Sequence, residues 1–203
     1  MNTPTHTMSE TSDLRCMTQR TLAGVRCMMQ LISLSFWWML GNDYKSQACS
    51  IAGALEVVGE RWSLLIVRDV FLGLRRFEQI QANLALARNV LQARLARLVE
   101  HGVLERVPYQ QRPPRFEYRL TEKGIDLWPT VVALMQWGDR HAAPADGPAM
   151  LLEHRDCGGA VDAHRICTRC GERLAARDSR ALPGPGATPD HPLIRRRQRQ
   201  AAA

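Results

Sequence analysis

The 203-residue sequence lacks a hydrophobic run long enough to cross a bilayer. One apolar stretch, residues 31–40, is far below the roughly 20 residues that a spanning helix needs. It also lacks a small-residue cleavage site, so it does not resemble a signal peptide. We therefore expect a cytoplasmic protein without a membrane partner, whose 45% hydrophobic content is sufficient for a packed core.

The motifs of common enzyme classes are also missing. The sequence has no Ser/His/Asp arrangement, no paired carboxylates and no glycine-rich phosphate loop, so we expect no enzymatic activity. Six cysteines without a secretory signal favour thiols or metal ligands in a reducing compartment over a disulfide framework. The formal net charge of +7 favours a polyanionic partner, although part of that charge lies in residues 195–199.

An amphipathic helix beginning at Arg88 is the central feature of the chain. Leu91, Leu95 and Leu98 follow the helical period and predict a buried face. The opposite face is predicted to carry polar side chains that suit base edges in a major groove: Arg88, Asn89, Gln92 and Arg97. An ordinary surface helix is the alternative.

A predicted hairpin follows this helix. Residues 103–107 and 116–120 alternate apolar and polar side chains, as strands do, on either side of a Pro- and Arg-containing loop. The loop resembles the wing of a DNA-binding domain, whose tip residues Gln110, Arg112 and Arg115 would reach phosphates or the minor groove. A plain hairpin with solvated arginines is the alternative.

Three helices are predicted before this unit and one after it. Residues 49–58, 62–72 and 75–82 have helical patterns, and residues 62–72 are apolar enough to be the central buried helix. Thr121 is a predicted N-cap for a long helix in which Pro129 produces a kink or marks the first turn. The apolar stripe of that last helix favours a homodimer, which matches two DNA half-sites, over docking on its own domain.

Residues 49–141 resemble the HxlR-type family of winged helix-turn-helix transcriptional regulators, which is close to the MarR-like proteins. The matching segments are Cys49, residues 54–62, 65–69, 73–77, 89–91 and 94–95, Tyr109, residues 112–121, Gly124 and residues 137–138. The resemblance implies a bacterial, dimeric repressor or activator that binds double-stranded DNA at an inverted-repeat operator. It also implies that some members use a cysteine at the first helix as a thiol sensor. Cys49 occupies that position here, but Ser50 replaces the proline that usually follows it.

The C-terminal part carries a second motif. The spacing of Cys167 and Cys170, followed by glycine, is typical of a zinc knuckle, and His154 and Cys157 repeat the same two-residue spacing. These four residues predict a structural zinc site, with His164 as a competing fourth ligand. Reduced, metal-free thiols in a small hairpin are the alternative.

The expected fold is mainly α with a β-hairpin wing, followed by a zinc-ribbon-like extension. We predict four regions: a disordered extension over residues 1–44, a winged helix over 45–143, a Cys-rich extension over 150–178 and a disordered basic tail over 179–203. For the first region, we interpret Met39 as the natural start of translation. A membrane-surface or partner-binding helix at residues 36–38 is the alternative.

A DNA-binding transcriptional regulator is the predicted function. The alternative is a protein-interaction module that uses the winged helix and zinc ribbon to dock onto other proteins. Steep salt dependence of duplex binding would separate the two. The sequence leaves open the operator, the regulated genes, the sign of regulation and any small-molecule effector.

Overall fold

A computed structural model describes residues 43–201 of the chain, apart from residue 45. The predictions for residues 1–42, including the start at Met39 and the helix at residues 36–38, lie outside the described residues. The chain divides into two compact units, Met1–Cys49 and Ser50–Ala203, and all of the helices and strands given below belong to the second. Within the described range, no helix combines the length and the apolar character that crossing a bilayer requires.

The first part of the second unit is a winged helix. Its elements, in chain order, are α1 (Ser50–Val58), α2 (Ser63–Phe71), α3 (Phe77–Leu84), α4 (Arg88–Glu100), β1 (Leu104–Gln110), β2 (Arg115–Leu120), α5 (Glu122–Ile125) and α6 (Trp128–His141). The two strands pair antiparallel as a hairpin. The predicted order of helix, turn, helix and hairpin is confirmed.

The core of the winged helix forms around α2, whose Ile66 and Val67 are fully buried. From α4, Leu91, Leu95 and Leu98 are at most 1% exposed, which confirms the predicted buried face. The other members of this core are Val58, Val70, Leu74, Ile80, Val103 and Leu104. Burial of an apolar side chain of this size stabilises the fold by about 1.5–3 kcal/mol. The position of α4 is therefore set by hydrophobic packing, which leaves its opposite face available.

Two predicted helix boundaries are wrong, each for a local reason. Helix α3 begins at Phe77 instead of Arg75, because Arg76 pairs with Glu117 as a β-bridge and the Gln79 side chain accepts the N–H groups of Arg75 and Arg76. The long helix predicted from Thr121 is two helices. Thr121 does cap α5 through the N–H of Gly124, and proline then stands in the first turn of α6, where its fixed φ suits a helix start.

The second part comprises β3 (Met150–His154), β4 (Ser179–Pro183) and α7 (Pro192–Ala201). Strands β3 and β4 pair antiparallel and enclose the Cys-rich segment between them, and residues 150–183 are called the ribbon module below. Helix α6 is bonded to this module, since Gln136 donates to the carbonyl groups of Val161 and Asp162 at 3.2 and 2.8 Å.

The prediction that residues 179–203 are a disordered tail is wrong for its described part. Residues 179–183 form β4, and α7 packs against the winged helix through the buried side chain of Leu193. Arg196 donates from Nη1 to the carbonyl of Leu72 at 2.8 Å, which satisfies a carbonyl at the end of α2. Neither of these side chains produces an apolar period in the sequence.

Candidate nucleic-acid interface and metal centre

The outward face of α4 carries three of the predicted DNA-binding residues. Arg88, Asn89 and Gln92 are all exposed, and the neighbouring Ala93 and Ala96 add little bulk. Arg88 lies over the ring of Phe77 in α3, with its guanidinium 5.0 Å from the ring centroid. Such a cation–π contact orients the guanidinium without removing its charge. The first two turns of α4 therefore present hydrogen-bonding groups on a surface that a duplex can approach closely.

Arg97 lies elsewhere, contrary to the sequence prediction. Its Nη1 pairs with Glu60 at 3.3 Å, and its Nη2 donates to the backbone carbonyl of Glu56 at 2.9 Å. Arg94, one turn earlier, also pairs with Glu60. These contacts attach α4 to the end of α1 and the turn after it. Arg97 is therefore a structural contact between helices, and the outward face of α4 is confined to its N-terminal half.

The wing places Arg112 and Arg115 on the exposed side of the hairpin, as predicted. Gln110 is partly buried, and its side chain donates to the carbonyl of Arg112 at 3.0 Å. This bond supports the turn at residues 111–114. In the structure Gln110 therefore braces the wing tip, while the two arginines carry its exposed charge.

A groove of about 580 Å³ separates α4 from the wing. Arg88 and Gln92 line it from the helix, and Arg106 and Arg115 line it from the hairpin. Glu78 and Glu100 are the acidic residues among the described side chains that line it. A groove that contains three arginines between a helix and a wing suits a phosphodiester backbone.

Two further arginines of this surface were missed by the sequence analysis. Arg106 lies over the ring of Phe116 at 4.1 Å from its centroid, and Arg76, at the start of α3, lies over Tyr109 at 4.4 Å. Strand register could have revealed the first pair, because Arg106 pairs with Tyr118 and Pro108 with Phe116, which puts all four on one face. Arg76 has no such local signal, since its aromatic partner is distant in sequence.

The four predicted metal ligands come together in the ribbon module. One ligand atom from each of His154, Cys157, Cys167 and Cys170 lies within 4.8 Å of the other three. The Sγ of Cys157 is 3.3 Å from that of Cys167 and 3.7 Å from that of Cys170. Sulfurs bound to one tetrahedral zinc at the usual bond length of about 2.3 Å stand roughly 3.8 Å apart. The donor set and its spacing therefore fit zinc.

The fourth member of the cluster is His154 and not His164. The Nδ1 atom of His154 is 3.3 Å from the sulfurs of both Cys157 and Cys170, and its side chain is almost fully buried. Its Nε2 atom faces the carboxylates of Asp156 and Glu172, each at 3.7 Å. An imidazole whose second nitrogen faces a carboxylate is typical of zinc ligands. His164 is exposed and does not belong to the cluster.

Glycines shape the two turns that hold the thiols. Gly158 and Gly171, each directly after a cysteine of the cluster, have φ of 71° and 75°, a region that favours glycine. A Cβ atom on Gly159 would lie 2.4 Å from the Sγ of Cys167, so this position admits no side chain. The glycine after Cys170 belongs to the predicted zinc-knuckle motif, whereas the close approach of Gly159 to Cys167 was not predicted from the sequence.

The electrostatic surroundings of Cys167 favour its thiolate. Burial alone would raise the pKa of Cys167, but the N–H groups of Cys170 and Arg169 and the neighbouring thiols together lower the pKa to about 6. A thiol with a pKa near 6 is largely deprotonated at neutral pH, which is the form that binds a metal ion. Backbone N–H groups therefore favour the metal-binding form of Cys167 in addition to the neighbouring side chains.

Comparison with known proteins identifies the family. The family model of the HxlR-like helix-turn-helix matches residues 57–146. An uncharacterised HTH-type transcriptional regulator of Mycobacterium tuberculosis, Rv3095, is 51% identical over 144 residues, covering 71% of this chain and 91% of the relative. The chain belongs to the HxlR-like helix-turn-helix family. It is therefore a transcriptional regulator with a helix-turn-helix DNA-binding domain, and its function is not enzymatic.

One further relative and one solved structure show how far the similarity extends. YdeP of Bacillus subtilis, also an uncharacterised HTH-type regulator, is 30% identical over 106 residues, or 50% of this chain and 83% of the relative. The crystal structure of PA1607, described as a candidate transcription factor, aligns with a TM-score of 0.55 at 44% identity. It covers 68% of this chain and 96% of PA1607. The resemblance inferred from the sequence is confirmed, as is the winged-helix fold class.

The surface of this HxlR-like chain includes apolar side chains on α6, whose apolar stripe was predicted to favour a homodimer, and on α1. Ile51 and Leu55 of α1 are 70% and 39% exposed, and Leu134 and Trp137 of α6 are 53% and 55% exposed. Each pair is spaced by three or four residues and so lies on one side of its helix. Large apolar side chains grouped in this way are typical of interaction surfaces.

Cys49 is the last residue of the first compact unit and directly precedes α1. Its side chain is exposed. Exposure is a condition for a thiol sensor, but Cys49 is outside the metal cluster and its predicted sensing role stays a prediction.

Proposed function

We propose that this HxlR-like protein binds an inverted-repeat operator in double-stranded DNA as a homodimer and regulates transcription in a bacterial cytoplasm. The observation that carries the proposal is the exposed N-terminal face of α4 beside an arginine-lined groove and wing. Asn89 and Gln92 would contact base edges, while Arg88, Arg112 and Arg115 would contact phosphates or the minor groove. Gln110 would act by supporting the wing turn.

Operator selection from a random duplex library, followed by binding titrations over a range of salt concentrations, tests this assignment. Gln92→Ala should relax sequence preference by roughly 1–3 kcal/mol at one base pair. Arg115→Ala should weaken all duplexes alike and lower the slope of log affinity against log salt by about one. Arg173→Ala, which removes the same charge from the exposed surface of the ribbon module, is the matched control. Parent-like behaviour of both interface variants would show that the assignment is wrong.

A homodimer through α1 and α6 is supported by the exposed apolar side chains of both helices. A two-fold dimer places two α4 helices on two half-sites, which matches an inverted repeat. Leu134→Glu would bury an unpaired charge in such an interface and should shift the protein to a monomer in light scattering. Leu151→Glu, at another half-exposed leucine, is the control and should leave the mass unchanged. A stable monomer for the unaltered protein would exclude the dimer.

A structural zinc ion in the ribbon module is supported by the Cys₃His donor set and its spacing. Such an ion would cross-link the end of β3, which carries His154, to the turns that carry the three cysteines, in place of a hydrophobic core. No part of the proposed DNA recognition requires the ion directly. Its expected effect is on the stability of residues 150–183.

A redox role of Cys49 is supported by the exposure of its side chain and its position directly before α1. Oxidation or alkylation next to α1 would add bulk near the proposed dimer helices and lower operator affinity. Oxidation could also act by releasing metal from the ribbon module. Comparing Cys49→Ser with the unaltered protein separates these routes: if mild oxidation abolishes duplex binding in both, Cys49 is not the sensor.

A further inference from the structure

A second cavity, which we call the junction cavity, lies where the winged helix meets the ribbon module and α7. Its volume is about 220 Å³. Phe71 of α2, Trp128 and Val132 of α6, Leu152 of β3 and Leu193 of α7 contribute its apolar surface. The rings of Phe71 and Trp128 pack against each other with centroids 5.3 Å apart. This cavity is separate from the groove between α4 and the wing, with which it shares no lining residue.

The charge of the junction cavity has one sign. Four arginines line it, namely Arg68, Arg155, Arg180 and Arg196, and none of the described residues that line it is acidic. Concave sites lined by one sign of charge concentrate ions of the opposite sign. An anion is therefore the kind of ligand that this cavity attracts.

Two of the four arginines are already neutralised. Arg68 pairs with the fully buried carboxylate of Asp69 at 2.7 Å, and Arg180 pairs with Glu153. Asp69 is held in turn by the side-chain amide of Asn83 at 2.8 Å. These pairs fix the positions of the arginine side chains but leave little net charge for a ligand.

The charge of the other two arginines is not compensated by a carboxylate of the described residues. Arg196 donates from Nη1 to the neutral carbonyl of Leu72. Arg155 forms no ion pair with any carboxylate in the described part of the chain, and neither does Arg196. Both side chains are exposed, whereas Val132, Leu152 and Leu193 are at most 8% exposed. The cavity therefore combines an apolar interior with two uncompensated guanidinium groups at its edge.

We propose that the junction cavity binds a small organic acid, whose apolar body would contact Phe71 and Trp128 and whose carboxylate would pair with Arg155 and Arg196. Guanidinium groups match the planar geometry of a carboxylate and form charge-assisted hydrogen bonds with it. The cavity is smaller than the roughly 300–1,000 Å³ of sites for drug-sized ligands, so the body of the acid must be small, such as one aromatic ring or a short alkyl chain.

The location of the cavity gives the ligand a route to DNA affinity. Its walls come from α2, which packs under α4, from α6, which belongs to the proposed dimer surface, and from the ribbon module and α7. A ligand that bridges these parts would alter their relative stability and hence the affinity for an operator. This regulatory consequence rests on the proposed function, whereas the binding site does not. By thermodynamic linkage, the operator would change the affinity for the acid by the same factor.

Fluorine NMR of 4-fluorobenzoate with the full-length protein tests the site without DNA. The expected result is saturable binding that hexanoate competes away and that neutral 4-fluorobenzamide, of the same shape, does not reproduce. Inorganic phosphate should compete weakly, because it lacks an apolar body. Equal binding of the amide, equal competition by phosphate, or an absence of saturable benzoate binding would each overturn the proposal.

Variants locate the site. Arg155→Gln and Arg196→Gln should each weaken binding of 4-fluorobenzoate about tenfold, the effect expected for loss of one charge-assisted hydrogen bond. Arg173→Gln, an exposed arginine of the same module that does not line the cavity, should bind like the unaltered protein. Ala181→Leu, which fills the cavity from β4 without a change of charge, should also lose binding. Parent-like affinity in Ala181→Leu and both cavity arginine variants, with folding verified by thermal melting, would place the ligand elsewhere.

Discussion

The winged helix and the ribbon module achieve stability by different means. In the winged helix, Ile66, Ile80, Leu91 and Leu98 have no solvent exposure and form one continuous core. In residues 150–183 the buried apolar side chains are those of Leu152, Cys167 and Leu174 among the described residues, and His154 and Ser179 are buried beside them. A segment of fewer than about 40 residues usually needs a metal ion, disulfides or oligomerisation in order to fold by itself. We therefore infer that its ligand cluster substitutes for a core.

Removal of metal should produce the largest difference in amide hydrogen exchange between the ribbon module and the winged helix. Structural zinc sites contribute about 10–16 kcal/mol of apparent binding free energy, and this free energy stabilises the fold because the unfolded chain seldom holds a preformed site. A chelator should therefore make residues 150–183 exchange amide hydrogens rapidly while the amides of α2 and α4 stay protected. Hydrogen exchange with mass spectrometry measures both at once. Unchanged exchange in the module would contradict the role given to the cluster.

The identity of the fourth ligand sharpens this prediction. His154→Ala should lower the zinc content of protein purified under reducing conditions, because its Nδ1 lies against two of the thiols. His164→Ala removes the same ring ten residues away, outside the cluster, and should retain full zinc content. The opposite result would assign the ligand to His164.

Leu95→Ala should produce the next largest effect, and in the other region. Leu95 is 1% exposed, and truncation of such a leucine costs about 2–5 kcal/mol of unfolding free energy. Leu151→Ala in β3, at a leucine that is 44% exposed, should cost less than about 1 kcal/mol. Denaturant unfolding measures the free energy of unfolding, and zinc content reports whether the ribbon module is intact. Loss of zinc in Leu95→Ala before global unfolding would show that the two regions do not fold separately.

Loss of the contact between the winged helix and the ribbon module should have a smaller effect on stability. Gln136 donates to two carbonyl groups of the ribbon module, so Gln136→Ala should destabilise their association by about 1–3 kcal/mol. Hydrogen exchange of residues 161–167 should rise, whereas the exchange of α4 should not. Gln81→Ala, which loses a side-chain bond within the winged helix, is the matched control. Equal exchange in both variants would contradict a role for Gln136 in joining the regions.

Arg97→Ala should have the smallest effect. Its side chain is 37% exposed, so the loss of its ion pairs should cost about 0–1 kcal/mol. Because Arg97 contacts Glu56 and Glu60, the sequence preference for duplexes should stay unchanged, whereas Arg88→Ala should weaken duplex binding and reduce its salt dependence. A change of base preference in Arg97→Ala would return this residue to the DNA interface.

Most elements of the winged helix could be predicted from local sequence patterns. The leucine period of α4, the alternation of the hairpin and the capping residue Thr121 predicted elements that the structure contains. The repeated two-residue spacing between ligands predicted the cluster of His154 and three cysteines, because a turn of that length brings two donors to one point. Burial could be predicted because it follows the period of each element.

The contact partners of the arginine side chains could not be predicted from local patterns. Arg97 has the spacing of a surface residue, and only the arrangement of α1 against α4 brings Glu56 and Glu60 within its reach. Arg76 stacks on Tyr109 for the same kind of reason. The two-residue spacing favoured His154 as the fourth ligand, but His164 also stands at a plausible distance from the cysteines along the chain, and only the structure leaves it outside the cluster.

By itself, the sequence determined the main helices and the hairpin of the winged helix, which of their faces are apolar, and which residue types can hold a metal ion. The tertiary structure decided where α7 docks, which arginines are neutralised by a carboxylate and which keep their charge at the groove and the junction cavity. The physical reason is that periodicity and turn chemistry act between neighbours in the chain. Ion pairs, cation–π contacts and cavities depend on groups that packing brings together from distant positions.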